Sequence, residues 1–258
     1  MTEVLNLGFL QVATAYVFIL IVILIIRIRG IKKEKEVVIS TFRMTLQLVL
    51  AGYILGFIFD HPSPILTIGF LLVMEGFAIY VILRRFKGKL SPGFKKVIAF
   101  SIVVNTLLCT SFFVLVVVRV TPWYSPQYFI PISGMIIGNA LTAVTLGVNS
   151  LLSQMNDNRD KVAEILVLGG SPKIATRKII NNSFEVAIMP TINNMLSMGI
   201  VVLPGMMTGQ ILSGTSPTVA ITYQITIMLA ILGAAALSII MLMQLGYQSF
   251  FNEEQQLK

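Results

Sequence analysis

Residues 154–182 read QMNDNRDKVAEILVLGGSPKIATRKIINN. This is the longest run in the chain that cannot sit in lipid, and apolar sequence flanks it on both sides. It predicts two helices with a sharp break between them. Asp157 can act as an N-cap, with Asp160 three residues later as a capping-box acid. Gly169 and Gly170 supply residues that leave a helix through positive φ. Ser171 then caps a second helix, with Pro172 at its first position, where the missing N–H costs nothing.

Outward from this loop the chain is apolar. Hydrophobic residues make up 56% and charged residues 12% of the 258, against roughly 25% charged in soluble domains. The expected class is all-α, a polytopic bundle of about seven membrane-spanning helices. Spans are expected at residues 7–26, 37–59, 65–83, 97–118, 128–152, 184–208 and 219–245. They belong to one permease domain covering 1–258. The first span is too long for a signal-peptide core, and it reads as retained.

The basic residues set the topology. Three loops on one side carry five, six and five Lys or Arg: 27–35, 84–96 and 159–178. Lys258 and Arg43 fall on the same side, which leaves Arg119 alone on the other. That asymmetry predicts an N-terminus outside, a C-terminus in the cytoplasm and the 154–182 loop in the cytoplasm. It also explains the net charge of +8 by topology, without a nucleic-acid partner. Trp123, Tyr124 and Tyr128 fall where an outer aromatic belt belongs. Cys109 stands alone in an apolar run, so no internal disulfide can form.

Spans five to seven are richer in small residues than the first four. Gly134 and Gly138 are four apart, as are Asn139, Ala143 and Gly147, and span seven carries Gly233 followed by three alanines. Small residues at this spacing let helix backbones approach, and Asn139 can hydrogen-bond across such a contact. These spans are expected to form the packed centre or a subunit contact.

Candidate functional residues follow from what is costly in a membrane. Glu75 lies near the middle of span three, where an ionisable group marks a cation or proton site, or bonds a polar neighbour such as Arg43, Gln47 or Asn105. Pro204, Gly205, Met206, Met207 and Gly209 form the least regular stretch at membrane depth. It reads as a gate or substrate-contact element, or as a plain helix end. Glu185 follows Asn181, Asn182 and Ser183 at the expected start of span six. It compensates the first-turn dipole or lines the inner mouth of a cation path. The methionines of span six can ligate soft metals or fill an irregular core; no metal ligand is assigned. There is no phosphate-binding loop and no paired Cys/His constellation, so the chain reads as a transport subunit and not an enzyme.

Glu164, followed by Leu168 and Gly169, resembles the EAA coupling loop of ABC-transporter permeases, a short helix that docks in a groove of a separate ATPase. From about Pro131 to Tyr247 the chain is similar to the FetB family of ABC permeases. The similarity rests on PISGMIIGNA at 131–140, LGGSPK at 168–173 and LPGMMTG at 203–209. Bacterial members are described as iron exporters, and plant relatives are tied to aluminium tolerance. The resemblance implies a homodimer in the cytoplasmic membrane that exports metal ions, iron first. Val162, Glu164, Leu168, Gly169, Gly170, Ser171 and Pro172 would meet a partner ATPase. ATP and magnesium would sit on that partner, with no cofactor in this chain. An autonomous secondary transporter or channel built around Glu75 is the alternative.

Overall fold

The computed structural model describes residues 8–252 and 254–257. Leu7, at the start of the first expected span, and Lys258, counted with the cytoplasmic charges, lie outside the described residues. Among the described residues ten α-helices follow one another: α1 Phe9–Ala15, α2 Val17–Ile28, α3 Glu34–Asp60, α4 Pro64–Arg85, α5 Pro92–Phe112, α6 Pro126–Asp157, α7 Arg159–Val167, α8 Pro172–Ser197, α9 Gly205–Leu212 and α10 Pro217–Gly246. A π-helical turn, Phe113–Val118, extends α5. Among the described residues there is no β-strand, only two isolated bridges.

Five of these helices open the same way. Ser63-Pro64, Ser91-Pro92, Ser125-Pro126, Ser171-Pro172 and Ser216-Pro217 each place Ser at the N-cap and Pro inside the first turn. Proline fixes φ near the helical value and has no N–H to leave unpaired there. Only Ser91 uses its hydroxyl as a cap, accepting from the Phe94 N–H at 3.2 Å. The signal therefore lies in proline's fixed dihedral more than in the serine.

Among the described residues, six helices are long and apolar enough to cross a membrane: Leu10–Ile28, Glu34–Asp60, Pro64–Arg85, Pro92–Val118, Pro126–Asp157 and Pro217–Phe250. They match six of the expected spans to within a few residues, except where α6 runs on to Asp157. The expected span at 184–208 is not one continuous helix. Its first half belongs to α8, which starts at Pro172. The chain then leaves helical geometry at Met198 and resumes as the short α9.

The chain forms two packing units, residues 1–62 with 212–214, and the remainder. In the first, α2 lies along α3, and the Tyr16 and Thr45 hydroxyls share a hydrogen bond. None of the Leu10–Ile28 window is buried.

In the second unit α5, α6 and α10 pack on one another, α8 packs on α6 and α10, and α4 lies on α5 and α6. Two core clusters stack along the bundle. One sits at the end bearing Arg84, Arg85 and the 159–178 charges; it gathers Ile82, Phe94, Leu151, Val162, Ile179 and Leu242. The other gathers Leu71, Phe113, Phe129, Ile136 and Ile227, with Met195 and Met198 against it. Because α8 contributes Ile179 to the first cluster and Met195 to the second, it runs the length of the bundle beside the apolar helices.

Close approach holds the centre together. A Cβ built on Gly147 would stand 2.9 Å from Ile239, 3.1 Å from Met243 and 3.4 Å from Ala187, so α6, α8 and α10 meet at this hydrogen atom. Helix association in lipid draws on such contacts, since lipid tails are as apolar as leucine. Asn139 does not bridge helices: its amide donates to Met135 O of its own helix at 2.8 Å.

Candidate functional site

The hinged loop forms with one change at its start. Helix α6 absorbs Asp157, and Asn158 stands between α6 and α7 with its amide on Gln154 O at 2.9 Å. Asp157 is thus not an N-cap, because the last turn of α6 reaches it first.

The far end of α7 closes in a Schellman motif. Gly170 N–H donates to Ile165 O at 2.8 Å and Gly169 N–H to Leu166 O at 3.0 Å. That is the paired bonding such a cap requires. Gly169 carries the positive φ, 86°. Gly170 is needed for a different reason: a Cβ there would stand 2.5 Å from Ile165 Cγ2 and 2.8 Å from its carbonyl oxygen.

This cap decides which side chains the loop displays. Val167 and Leu168 are each 86% exposed, Ile174 is 64% exposed and Glu164 is exposed. Val162 is the exception among the expected contact residues. It is 1% exposed and packs in the core, so it anchors α7 and is not available to a partner. Helix period accounts for the split: Val162 and Ile165 turn inward, while Glu164 and Leu168, four apart, share the outward face.

A feature the sequence reading passed over lies beside this tip. After α10 the chain makes a short 3-10 turn, Tyr247–Phe250, and folds back, with Phe251 bridged to Leu257. Phe94 stacks edge-on against Phe250. A groove of about 510 Å³ opens between Ala163, Leu166, Val167 and the returning residues 254–257. The signal is the Phe250-Phe251 pair, two large apolar residues beyond the last expected span.

Glu75 is 3% exposed. Asn105, the expected partner within the same packing unit, does not bond it. The Thr106 hydroxyl of α5 meets Glu75 Oε1, while Oε2 is buried without a partner. Asn105, one residue away, instead donates to Ser101 O at 2.8 Å and to Met241 Sδ at 3.1 Å. An acid at mid-span costs about 2.5–3.5 kcal/mol on insertion scales, and a single hydroxyl offsets only part of that.

The break after α8 begins six residues before Pro204. Ser197 ends the helix, Gly199 takes φ 86°, and Met198 and Val202 form an isolated bridge. Pro204 and Gly205 mark where α9 resumes, with Met207 buried and Met206 partly so, and Gly209 sits inside that helix instead of breaking it. Thr208 N–H donates to Pro204 O at 2.9 Å, which explains how the helix restarts across a proline. Glu185 also changes place. It stands thirteen residues into the unbroken α8, exposed, so no helix start exists there for it to compensate. No side-chain hydrogen bond joins two of the eight expected path residues, and among the described residues no three His, Cys, Asp or Glu side chains come together as metal ligands.

The fold and its six apolar helices define a multi-pass helical membrane protein. The model of the family described as Uncharacterised protein family (UPF0014) matches residues 9–251, and the chain belongs to this family. It is 32% identical over 252 residues to the UPF0014 membrane protein YjkA of Bacillus subtilis (strain 168), covering 98% of this chain and 99% of that one. It is 32% identical over 247 residues to the probable iron export permease protein FetB of Escherichia coli (strain K12), covering 96% and 93%. It is 32% identical over 251 residues to the protein ALUMINUM SENSITIVE 3 of Arabidopsis thaliana, covering 97% and 90%. The similarity to FetB thus runs well upstream of residue 131. No solved structure matches.

Proposed function

We propose that this chain is the membrane subunit of an ATP-driven exporter of metal ions, iron first, worked through the α7 tip by a separate ATPase. The reading places the basic ends of the helices in the cytoplasm, the N-terminus outside, and two copies of the permease together in the plasma membrane. Supporting it is the similarity to the Escherichia coli relative, described as a probable iron export permease protein.

One observation carries the coupling. Val167 and Leu168 point outward at 86% exposure from a helix whose other face is locked in the core by Val162. Two such apolar side chains on a capped, anchored helix suit insertion into an apolar cleft of a partner, where buried anchors supply most of the binding energy. Glu164, Gly169, Gly170, Ser171 and Pro172 complete the tip, the glycines by geometry and the acid by facing the same way as Leu168.

The test co-expresses the chain with a candidate ABC ATPase subunit from the same genome and measures co-purification and iron efflux. Leu168→Asp changes an exposed residue, so the permease folds to within about 0.5 kcal/mol of the parent. The partner should be lost and efflux should stop. Intact binding and efflux in this variant would remove the tip from the mechanism. Transport by the purified chain alone, driven by a proton gradient, would replace the proposal with an autonomous transporter using Glu75.

A further inference from the structure

Helix α8 is polar on both faces although it lies among membrane helices. Inward it turns Thr176, Ser183, Ala187 and Thr191, all buried. Outward, at steps of three and four residues, it turns Asn182, Glu185, Met189 and Asn193, all exposed, with Asn194 beside the last. This spacing puts the four on one stripe.

The depth of the stripe follows from contacts with α6. Gln154 Nε2 donates to Ser183 Oγ at 3.2 Å, and Ala187 lies against Gly147. The antiparallel register set by these pairs brings Asn193 level with about Leu141, the middle of the apolar helix α6. Glu185 lies eight residues, about 12 Å, closer to the basic end. Asn182 gives one amide hydrogen to Gln154 Oε1 at 3.3 Å. Glu185 and Asn193 have no side-chain hydrogen bond among the described residues, and Lys33–Glu36 is the ion pair found there.

An unbonded carboxamide at mid-depth and a carboxylate about 12 Å from it, still within a hydrocarbon core about 30 Å thick, are poor neighbours for acyl chains. Polar groups inside membranes face a bundle interior, a partner or water. The stripe also leads to the non-helical 198–204 stretch, where Ile200 and Val201 are exposed and the backbone turns on itself. Irregular backbone at membrane depth belongs beside protein or water, not lipid. The one charge on the stripe is negative, and its neutral members offer amide oxygens and a thioether.

We propose that Asn182, Glu185, Met189 and Asn193 form one wall of a water-filled cation path, closed on its far side by a second copy of the chain. This deepens the exporter reading and rests on it for the second copy and for the identity of the cation. Glu185 draws the ion in, the carboxamides replace part of its hydration, and Met189 favours a transition metal over a purely oxygen-seeking ion.

The experiment uses the full chain in native membranes, with Cys109→Ala so that each introduced cysteine stands alone. Glu185→Cys, Met189→Cys and Asn193→Cys are compared with Ile225→Cys and Leu229→Cys, exposed apolar positions of α10. A charged, membrane-impermeant thiol reagent should modify the first three at least about tenfold faster, because only a thiolate in water attacks. Stripe positions as slow as Leu229→Cys overturn the path. So does an inter-copy disulfide at Asn193→Cys without aqueous labelling, since that marks a dry subunit contact. No ATPase or substrate is needed, so a failed labelling result leaves the exporter reading standing. A failed efflux assay likewise leaves the labelling result intact.

Discussion

Replacing Gly170 by alanine tests the architecture of the exposed tip more sharply than any change to its outward-facing side chains. The new Cβ would lie 2.8 Å from Ile165 O and 2.5 Å from Ile165 Cγ2. The carbonyl belongs to the hydrogen bond that closes the cap, so relieving the clash means pulling Gly170 N–H off its acceptor. Overpacking costs about 1–3 kcal/mol and the lost bond about 0.5–1.5 kcal/mol, which together make the local penalty about 2–4 kcal/mol. Gly169→Ala differs: nothing lies within 4 Å of its Cβ, and the cost is the positive φ alone, about 1–2 kcal/mol. Hydrogen exchange at the amides of residues 169 and 170 reads this directly, as local opening. Both variants should speed exchange, with Gly170→Ala the faster by about tenfold for each 1.4 kcal/mol between them. ATPase coupling should fail in the same order. If Gly169→Ala opens the cap more than Gly170→Ala, or neither changes it, the steric account of the hinge is wrong.

Three further outcomes follow. Thr106→Val removes the hydroxyl on Glu75 Oε1 and leaves both carboxyl oxygens unpartnered, so melting in detergent should show a loss of about 1–3 kcal/mol. Glu75→Gln, which keeps an oxygen for Thr106, should lose less; the reverse order would mean that the pair does not hold α4 to α5. Gly246→Ala sets a Cβ 2.3 Å from Phe94 Cε2, a ring that is 1% exposed; it should cost about 1–3 kcal/mol, and an unchanged melting temperature would show that α5 and α10 approach less closely than described.

Much of the fold was legible because membrane helices announce themselves by length and composition. Six expected spans correspond to six apolar helices, and the break at Gly169 needed only the rule that glycine tolerates positive φ. The seventh was misplaced for a physical reason. Residues 172–197 are too polar to look like a span, since α8 is wrapped on one side by other helices and carries small polar residues there. Its true start was written as Ser171-Pro172, the same dipeptide that opens α4, α5, α6 and α10. Counting that pair along the chain would have found all five. The bond between Glu75 and Thr106 was out of reach, because no spacing rule tells which hydroxyl on another helix will face a buried acid. Gly209 misled for the opposite reason: glycine permits a break but does not force one, and Gly199, earlier in the chain, took the positive φ instead.

Helix α8 also has a mechanical meaning. From Pro172 to Ser197 it is a single shaft of 26 residues, about 39 Å long, weakened only where Pro190 lacks a backbone donor. Its near end is seated on the glycine swivel, and its far end stops at the unwound 198–204 segment. Tilting such a shaft by about 10° at the swivel sweeps the opposite tip by about 7 Å, farther than one full helical turn. A small displacement imposed at the near end would thereby be magnified at the far end, and the non-helical 198–204 segment is where such travel would be absorbed.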